Sequence, residues 1–277
     1  MINNFVLIVG AMKCGTTSFF NYLAEHPQVC PCEPKKEPNF FASDDNYAKG
    51  LEWYRSLWNY NPSVHKVALE GSTSYTKMKT PEVVERILET RDRTNVHFRF
   101  IYIVRDPIER VESHYTHALT TKWGKNMMRL EQGIDRKLIK ISRYAEQIDA
   151  YYKKFPDKDI LLLNFSDIKQ DPSGTLQKTC QFLNLDTSFD FQNVSRNYHP
   201  TKGKVINSRI WPFVKPFSEL LPDGKSEALR KKLGHTIEGN IRLSSAQRSL
   251  VLDELRDDLK KLETAYNVDI SRWKVGR

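Results

Sequence analysis

The sequence predicts an α/β fold with a mainly parallel central sheet flanked by helices. Two observations support this prediction: short apolar runs recur along the chain, and segments with a helical pattern separate them. Apolar runs without alternation are typical of strands buried on both faces of a parallel sheet. Helices between such strands provide the crossovers that parallel pairing requires.

The elements follow one another in this alternating order. The predicted strands are residues 5–9, 66–70, 98–104 and 159–164. The predicted helices are residues 16–25, 47–58, 81–91, 107–121, 134–154, 172–184 and 244–266. The last helix carries an apolar stripe at alternating steps of three and four residues, namely Leu252, Leu255, Leu259, Leu262 and Tyr266. This stripe favours packing on the core over binding of a partner helix.

A glycine-punctuated loop follows the first strand and ends in two threonines. Gly10 and Gly15 allow backbone conformations in which successive N–H groups converge on an anion. Thr16 and Thr17 begin the next helix, whose N-terminal partial charge adds to such a site. Lys13 supplies a full positive charge. The loop therefore predicts a phosphate-binding site.

The position of the lysine separates this loop from the Walker A loop of nucleotide triphosphatases. In the Walker A pattern the lysine follows the second glycine, whereas Lys13 precedes Gly15. The pattern G-x-x-K-x-G-T-T instead resembles the 5′-phosphosulfate loop of sulfotransferases that use 3′-phosphoadenosine 5′-phosphosulfate (PAPS). On this motif alone, a plain strand-to-helix turn remains the alternative.

A second match follows the strand at residues 98–104. In the same family an arginine at the strand end and a serine eight positions later bind the 3′-phosphate, and Arg105 and Ser113 have this spacing. A guanidinium can engage a phosphate through two parallel hydrogen bonds, and a serine hydroxyl can donate a third. The alternative is that Arg105 only pairs with Asp106 or Glu109.

A third match is a basic turn that resembles the K-G-R loop closing over the nucleotide in heparan-sulfate-type sulfotransferases. It consists of Lys202, Gly203 and Lys204. Lysine at the third position keeps the charge of the arginine but lacks its planar fork. An exposed basic turn is the alternative. The matches span residues 5–207, and the last seventy residues match no family pattern.

The resemblance implies a P-loop-like sulfotransferase fold and a reaction. A sulfuryl group would move from PAPS to an acceptor hydroxyl or amine and leave adenosine 3′,5′-bisphosphate, with Lys13 stabilising the leaving phosphate. Residues 33–41 resemble the K-E-x-x-F-F run of glycan sulfotransferases, in which the glutamate is the general base. Glu37 is therefore the implied base, and Lys36 and Phe41 are implied acceptor contacts. No metal is implied.

A further resemblance concerns the acceptor. Residues 70–75 resemble an E-K-x-x-A-Y run that lines the acceptor cleft of related glycan enzymes, so Glu70 and Ser72 are candidate cleft residues. Gly71 stands where those enzymes have lysine, which disfavours a heparan-like acceptor. An aliphatic hydroxyl on a sugar, a lipid or a polyketide-type chain is expected. Two alternatives stay open: Glu37 is a solvated carboxylate, or one of the seven histidines is the base.

Composition is typical of a soluble enzyme, with 277 residues, 39% of them hydrophobic, and a formal net charge of +9. We expect a single domain over residues 1–277, in which residues 208–277 form a helical extension on the core. The apolar runs are strand-length and Met1 leads directly into the first strand, so a cytoplasmic enzyme without a membrane span is expected. The basic surplus fits a polyanionic nucleotide. Nucleic acid is disfavoured because 34 acidic residues are interspersed and no nucleic-acid module is recognised.

The four cysteines give no disulfide framework and are expected to be reduced thiols; they are Cys14, Cys30, Cys32 and Cys180. Cys14 lies in the phosphate loop, to which it would contribute its backbone N–H. Neighbouring positive charge is expected to lower the pKa of its thiol and make it open to oxidation.

Two alternatives to a sulfotransferase remain at this stage. A nucleotide kinase or hydrolase of related fold is disfavoured by the position of Lys13 and by the absence of a clear Walker B carboxylate. A nucleotide-binding module without catalysis is disfavoured by the presence of both Lys13 and Glu37.

Overall fold

Five parallel strands form the central sheet of the computed structural model. They are β1 (Asn4–Gly10), β2 (Val29–Pro31), β3 (Val67–Glu70), β4 (His97–Val104) and β5 (Ile160–Asn164), in the spatial order β2-β3-β1-β4-β5. The structure describes residues 1–33, 35–77, 80–120, 133–194, 205–206, 214, 225–236, 239 and 241–276. The prediction of a mainly parallel sheet is confirmed.

Helices lie between and after these strands. They are α1 (Thr16–Leu23), α2 (Asp44–Tyr47), α3 (Gly50–Arg55), α4 (Thr80–Arg93), α5 (Pro107–Leu119), α6 (Arg136–Lys140), α7 (Tyr144–Tyr152), α8 (Phe165–Gln170), α9 (Pro172–Leu183), α10 (Lys225–Leu233) and α11 (Ser245–Tyr266). Short 3₁₀ segments cover Thr73–Thr76, Asp157–Asp159 and Lys274–Gly276. A separate antiparallel pair joins β6 (Val205–Ile206) to β7 (His235–Thr236). Within the described part of the chain, no helix is both long and apolar enough to cross a bilayer.

The core explains why the strand runs lack alternation. Residues 5–9 of β1 are each at most 1% exposed, and residues 100–104 of β4 are fully buried. Both strands lie inside the sheet with helices on each face, so side chains that point either way are removed from water. Burial of these apolar side chains is the main favourable term that holds the sheet together.

Two predicted helices differ from the structure. Of the segment 47–58, residues 50–55 form the helix α3, because Gly50 at its start has a left-handed φ of +80° and the preceding helix α2 ends at Tyr47. The segment 134–154 becomes α6 and α7. Here α7 begins afresh because Asp258, from α11, accepts hydrogen bonds from the backbone N–H groups of Ala145 and Glu146 at 3.1 and 2.9 Å.

The C-terminal helix α11 packs against α5, α6 and α7. Ser244 caps it: the Ser244 hydroxyl accepts from the Gln247 N–H at 3.3 Å, and the Gln247 side chain accepts from the Ser244 N–H at 2.9 Å. Leu255, Leu259 and Leu262 are buried as the stripe predicts, whereas Leu252 and Tyr266 are half-buried. The C-terminal helix α11 therefore lies on the core, and the single-domain assignment stays a prediction.

Candidate functional site

The candidate site lies at the carboxyl ends of β1 and β4. From β1 the chain runs to β2 and β3 on one side of the sheet and then to β4 and β5 on the other. The crevice at such a switch point is where open α/β sheets bind ligands. The backbone N–H of Ala11 donates to the carbonyl of Ile103 at 2.8 Å, so the loop after β1 starts alongside the end of β4. The predicted phosphate loop and Arg105 thus flank the crevice.

The phosphate loop, residues 10–17, places a helix N-terminus in this crevice. Gly15 is the N-cap of α1 with a left-handed φ of +84°, and no side chain caps the helix. The first N–H groups of a helix lack intrahelical acceptors, and here an anion can take that role. Lys13, in the same loop, also has a positive φ, of +71°. The local geometry is that of an anion cradle.

Both loop glycines are required by close packing. A Cβ on Gly10 would lie 2.2 Å from Thr76 Oγ1, and one on Gly15 would lie 2.3 Å from the ring of Phe165. A larger residue at either position would displace the loop. The sequence predicts both glycines from the backbone conformation that a phosphate loop needs. The structure shows in addition that neither position has room for a side chain.

Arg105 connects the phosphate loop to α5. Its Nη1 donates to the backbone carbonyl of Lys13 at 3.2 Å, and its Nε and Nη2 donate to Glu109 Oε2 at 3.3 and 3.0 Å. The guanidinium also lies 4.9 Å from the centroid of the Phe165 ring. Arg105 therefore pairs with Glu109, as the alternative interpretation of the sequence predicts, and it also contacts the loop.

The Glu109 carboxylate is held in its charged form. Burial acts to raise its pKa, but hydrogen bonds from Lys274 and Arg105 outweigh that effect and lower the pKa to about 2. Ser113 is buried and lies one helical turn after Glu109, on the same face of α5. The helix therefore presents Ser113 on the side where Arg105 binds Glu109.

Glu37 lies on the segment that follows β2 and is anchored by its neighbours. Lys36 Nζ lies 3.0 Å from Glu37 Oε1 and donates to the carbonyl of Gly71 at 2.7 Å. Asn39 donates its backbone N–H to Ser72 Oγ at 3.1 Å. The Glu37 side chain keeps 37% of its surface exposed, while that of Lys36 keeps 16%. Glu37 is thus a fixed carboxylate that solvent or substrate can reach.

Three predicted acceptor contacts need correction. Phe41 and Glu70 are fully buried, and Ser72 is 1% exposed, so none of these side chains lines an open cleft. Phe41 packs against Phe98 and Tyr75 with ring centroids 5.6 and 5.8 Å apart. Ser72 supports the Glu37 segment through Asn39. These residues shape the site from beneath.

Glu70 is an unusual buried acid. Neither carboxyl oxygen makes a hydrogen bond of standard geometry with a described residue. Burial raises its pKa to about 8, against the opposing effect of the Tyr75 and Tyr54 hydroxyl groups. The group is therefore neutral near pH 7 and lies below the Lys36 and Glu37 pair, whose charges also act on it.

Sequence reasoning missed a cationic cluster on the loop side of α5. Arg110 is fully buried, and its Nη1 lies 3.1 Å from His114 Nδ1. Burial, together with the positive charges of Arg110, Lys77 and Lys13, lowers the pKa of His114 to about 2. The negative charge of Glu37 in turn acts to raise the pKa of Lys77, although burial lowers it overall. The spacing of Arg110 and His114, four residues apart on the helix that carries Ser113, was the available signal.

The expectation for the Cys14 thiol is wrong. Burial raises its pKa to about 11, although Arg110, Arg105 and Lys13 act in the opposite direction. The side chain is fully buried, with its sulfur 3.7 Å from the Tyr144 hydroxyl, and the Cys14 backbone N–H donates to the Ala11 carbonyl at 3.2 Å. Desolvation outweighs the local charge, so the thiol is protonated and inaccessible.

The third predicted contact, Lys202, Gly203 and Lys204, lies outside the described residues. The structure thus brings together the phosphate loop, Arg105 and the face of α5 with Ser113. The charges of Lys13 and Lys77 act on His114, and the charge of Glu37 acts on Lys77. These electrostatic interactions connect Glu37, Lys77 and His114 to the phosphate loop.

A family model described as a sulfotransferase domain matches residues 4–208. The heparan sulfate glucosamine 3-O-sulfotransferase 5 of Mus musculus is 28% identical over 234 residues, which cover 76% of this chain and 65% of the relative. The heparan sulfate glucosamine 3-O-sulfotransferase 3B1 of Homo sapiens is 30% identical over 188 residues, which cover 65% of this chain and 45% of the relative. The chain thus spans less than two thirds of the length of these relatives.

A solved structure resembles the chain over nearly its full length. A sulfotransferase from Alicyclobacillus acidocaldarius superposes with a TM-score of 0.65 at 19% identity, and the match covers 99% of both chains. At this level of identity the likeness is one of fold.

Proposed function

Because this chain belongs to the sulfotransferase family, we propose that it transfers a sulfuryl group from PAPS to an acceptor hydroxyl. The observation that carries the proposal is the hydrogen bond from Arg105 Nη1 to the Lys13 carbonyl, 3.2 Å long. It joins the two predicted phosphate sites across the crevice between β1 and β4. A donor with phosphate groups at two positions fits such a pair of sites, whereas a simple anion needs only one.

The donor contacts follow from the site. Gly15, Thr16 and Thr17 offer the N-terminal N–H groups of α1 to the 5′-phosphosulfate, and Lys13 adds a positive charge. Arg105 and Ser113 take the 3′-phosphate. Lys202, Gly203 and Lys204 are assigned to closing over the nucleotide on the strength of the sequence match.

The reaction is a direct displacement at sulfur. The acceptor oxygen forms a bond to sulfur while the bond between sulfur and the 5′-phosphate oxygen breaks, which releases adenosine 3′,5′-bisphosphate. Negative charge develops on the leaving phosphate, and Lys13 stabilises it. The acceptor proton passes to a general base.

Glu37 is the base in this proposal. Its carboxylate is partly exposed and is held by Lys36 at 3.0 Å, so it is both reachable and oriented. His114, the histidine electrostatically coupled to Lys13, is a poor proton acceptor because its pKa falls to about 2. Among the groups near the crevice, these properties favour the carboxylate.

The acceptor is assigned to a sugar hydroxyl ahead of a lipid or a polyketide-type chain. The similar curated proteins are named for transfer to a glucosamine of heparan sulfate. Gly71 lacks the positive charge of the lysine that the related glycan enzymes have at this position. The Lys36 ammonium supplies a positive charge at the same place, because it donates to the Gly71 carbonyl at 2.7 Å. Lys77 adds a second cation near Glu37. This charge pattern suits an anionic sugar.

Incubation with sulfur-labelled PAPS tests the proposal. Sulfated and desulfated glycosaminoglycan oligosaccharides, simple lipids and hydroxyacyl thioesters serve as acceptors, and the Glu37→Gln variant is run beside the wild-type chain. The full proposal is supported if the wild-type chain transfers label to an oligosaccharide and the Glu37→Gln variant does not. Binding of PAPS without transfer to any acceptor favours a nucleotide-binding module. Preferential binding and hydrolysis of ATP favours the nucleotide kinase or hydrolase alternative.

A further inference from the structure

The C-terminal tail returns to the edge of the sheet that carries Arg105. Trp273 is buried and donates its indole N–H to Asn164 Oδ1 at 3.2 Å, at the end of β5. The backbone N–H of Lys274 donates to Asp106 Oδ2 at 2.5 Å, just before α5. The tail is therefore fixed at the carboxyl ends of β4 and β5, on the ligand-binding edge of such a sheet.

Lys274 places its ammonium group beside the predicted 3′-phosphate site. Its Nζ lies 3.0 Å from Glu109 Oε1, while Arg105 Nη2 lies 3.0 Å from Glu109 Oε2. Each oxygen of one carboxylate thus holds one cation, so both cations lie within the span of a single small oxyanion. A phosphate group offers the same arrangement of acceptor oxygens with a larger charge.

We propose that Lys274 is a second cation of the 3′-phosphate site and that Glu109 holds Lys274 and Arg105 in position for it. The inference rests on the proposed function, because it presupposes a donor with a 3′-phosphate. It adds a nucleotide contact from outside residues 4–208, the part of the chain that the family model matches.

The contacts of the tail leave the ammonium group available for this role. The tail is anchored by the Trp273 indole and the Lys274 backbone, and neither bond uses the Lys274 side chain. That side chain is 43% exposed, and ion pairs this exposed contribute little to folding. The ammonium has three N–H donors, so it can keep its contact with Glu109 and donate a further, charge-assisted hydrogen bond to a phosphate.

Calorimetric titrations of the full chain with adenosine 3′,5′-bisphosphate and with adenosine 5′-monophosphate test the proposal, since these ligands differ only in the 3′-phosphate. Lys274→Met removes the charge and keeps an aliphatic stem of similar length, and Lys274→Arg restores the charge. Lys261→Met is the matched control, because Lys261 also pairs with a carboxylate, that of Asp149, on α7. Thermal unfolding of each variant monitors the fold.

We expect Lys274→Met to weaken binding of the bisphosphate about tenfold and to leave the monophosphate unchanged, as for loss of one charge-assisted hydrogen bond. Lys274→Arg recovers most of the affinity, and Lys261→Met changes neither ligand. Unchanged affinity for the bisphosphate in Lys274→Met overturns the proposal, and so does an equal loss for both ligands. A wild-type chain that binds both ligands equally overturns the proposed function itself, and this inference with it.

Discussion

The guanidinium of Arg105 and the backbone of Lys13 are joined by a hydrogen bond of 3.2 Å from Nη1 to the carbonyl oxygen. The bond crosses from the end of β4 to the loop after β1, so one side chain fixes the distance between two predicted phosphate sites. The same guanidinium uses its Nε and Nη2 for Glu109. The planar fork of arginine is required for contacts in two directions.

Arg105→Lys is expected to lower the affinity for adenosine 3′,5′-bisphosphate at least about tenfold, because a single ammonium replaces the two-sided fork. Arg99→Lys is the matched control. Arg99 lies on β4, the strand that ends just before Arg105, but its Nη1 donates to the Leu183 carbonyl at 2.9 Å, away from the crevice. Calorimetry on both variants measures the effect, and wild-type affinity in Arg105→Lys would show that the fork is not needed.

Gly15→Ala and Gly50→Ala separate backbone strain from steric clash in the phosphate loop. Both glycines have left-handed φ, +84° and +80°, which costs an alanine about 1 to 2 kcal/mol of folding free energy. Only at Gly15 does the new Cβ meet another group, the Phe165 ring at 2.3 Å. We expect Gly15→Ala to lose about 1 to 3 kcal/mol more than Gly50→Ala in urea unfolding, and to bind nucleotide more weakly. Equal losses with intact binding would contradict the role of Phe165.

Glu37→Gln is expected to lower turnover roughly a hundred- to ten-thousand-fold, the usual contribution of a general base. The affinity for adenosine 3′,5′-bisphosphate stays near the wild-type value, because no donor contact is assigned to Glu37. Glu33→Gln, on the same segment and exposed, is the control and keeps full turnover. Turnover that is unchanged in Glu37→Gln removes this residue from the mechanism.

Glu70 predicts a pH dependence of stability. Its pKa is about 8 in the folded chain against an ordinary value of 4.5. Between these values the unfolded state has lost the proton and the folded state keeps it, so stability falls as pH rises, by at most about 1.4 kcal/mol per pH unit. Glutamine does not titrate in this range. The free energy of unfolding of Glu70→Gln, relative to that of the wild-type chain, is therefore expected to increase as the pH rises from 4.5 to about 8. Urea unfolding at several pH values measures the difference, and a pH-independent difference would exclude the raised pKa.

The strands and the local geometry of the phosphate loop were largely predictable because each depends on local pattern. Residues 5–9 and 98–104 are buried runs whose composition identifies them, and the spacings of Lys13 and Ser113 are fixed by one loop and one helix. The three-residue strand β2 (Val29–Pro31) escaped prediction because it is too short to show a pattern. The prediction of one helix over residues 134–154 failed because Asp258, more than a hundred residues away in the sequence, caps the start of α7.

Burial decided the remaining differences. Glu70 and Ser72 are polar residues of the kind that line an open cleft, yet both side chains are buried. The basic surroundings of Cys14 indicate a reactive thiol, but complete burial has the larger effect on its pKa. Such effects depend on which elements pack together, which a single sequence does not specify. The cytoplasmic location stays a prediction.

Competition between adenosine 3′,5′-bisphosphate and ATP for the crevice tests most directly whether residues 10–17, Arg105 and Ser113 form a PAPS site. Titration calorimetry of the wild-type chain with each nucleotide, without added metal and then with Mg²⁺, gives both affinities. We predict that the bisphosphate binds at least about tenfold more tightly than ATP under both conditions, and that Arg105→Lys narrows this ratio. Tighter binding of ATP, or a ratio that Arg105→Lys leaves unchanged, would contradict the assignment.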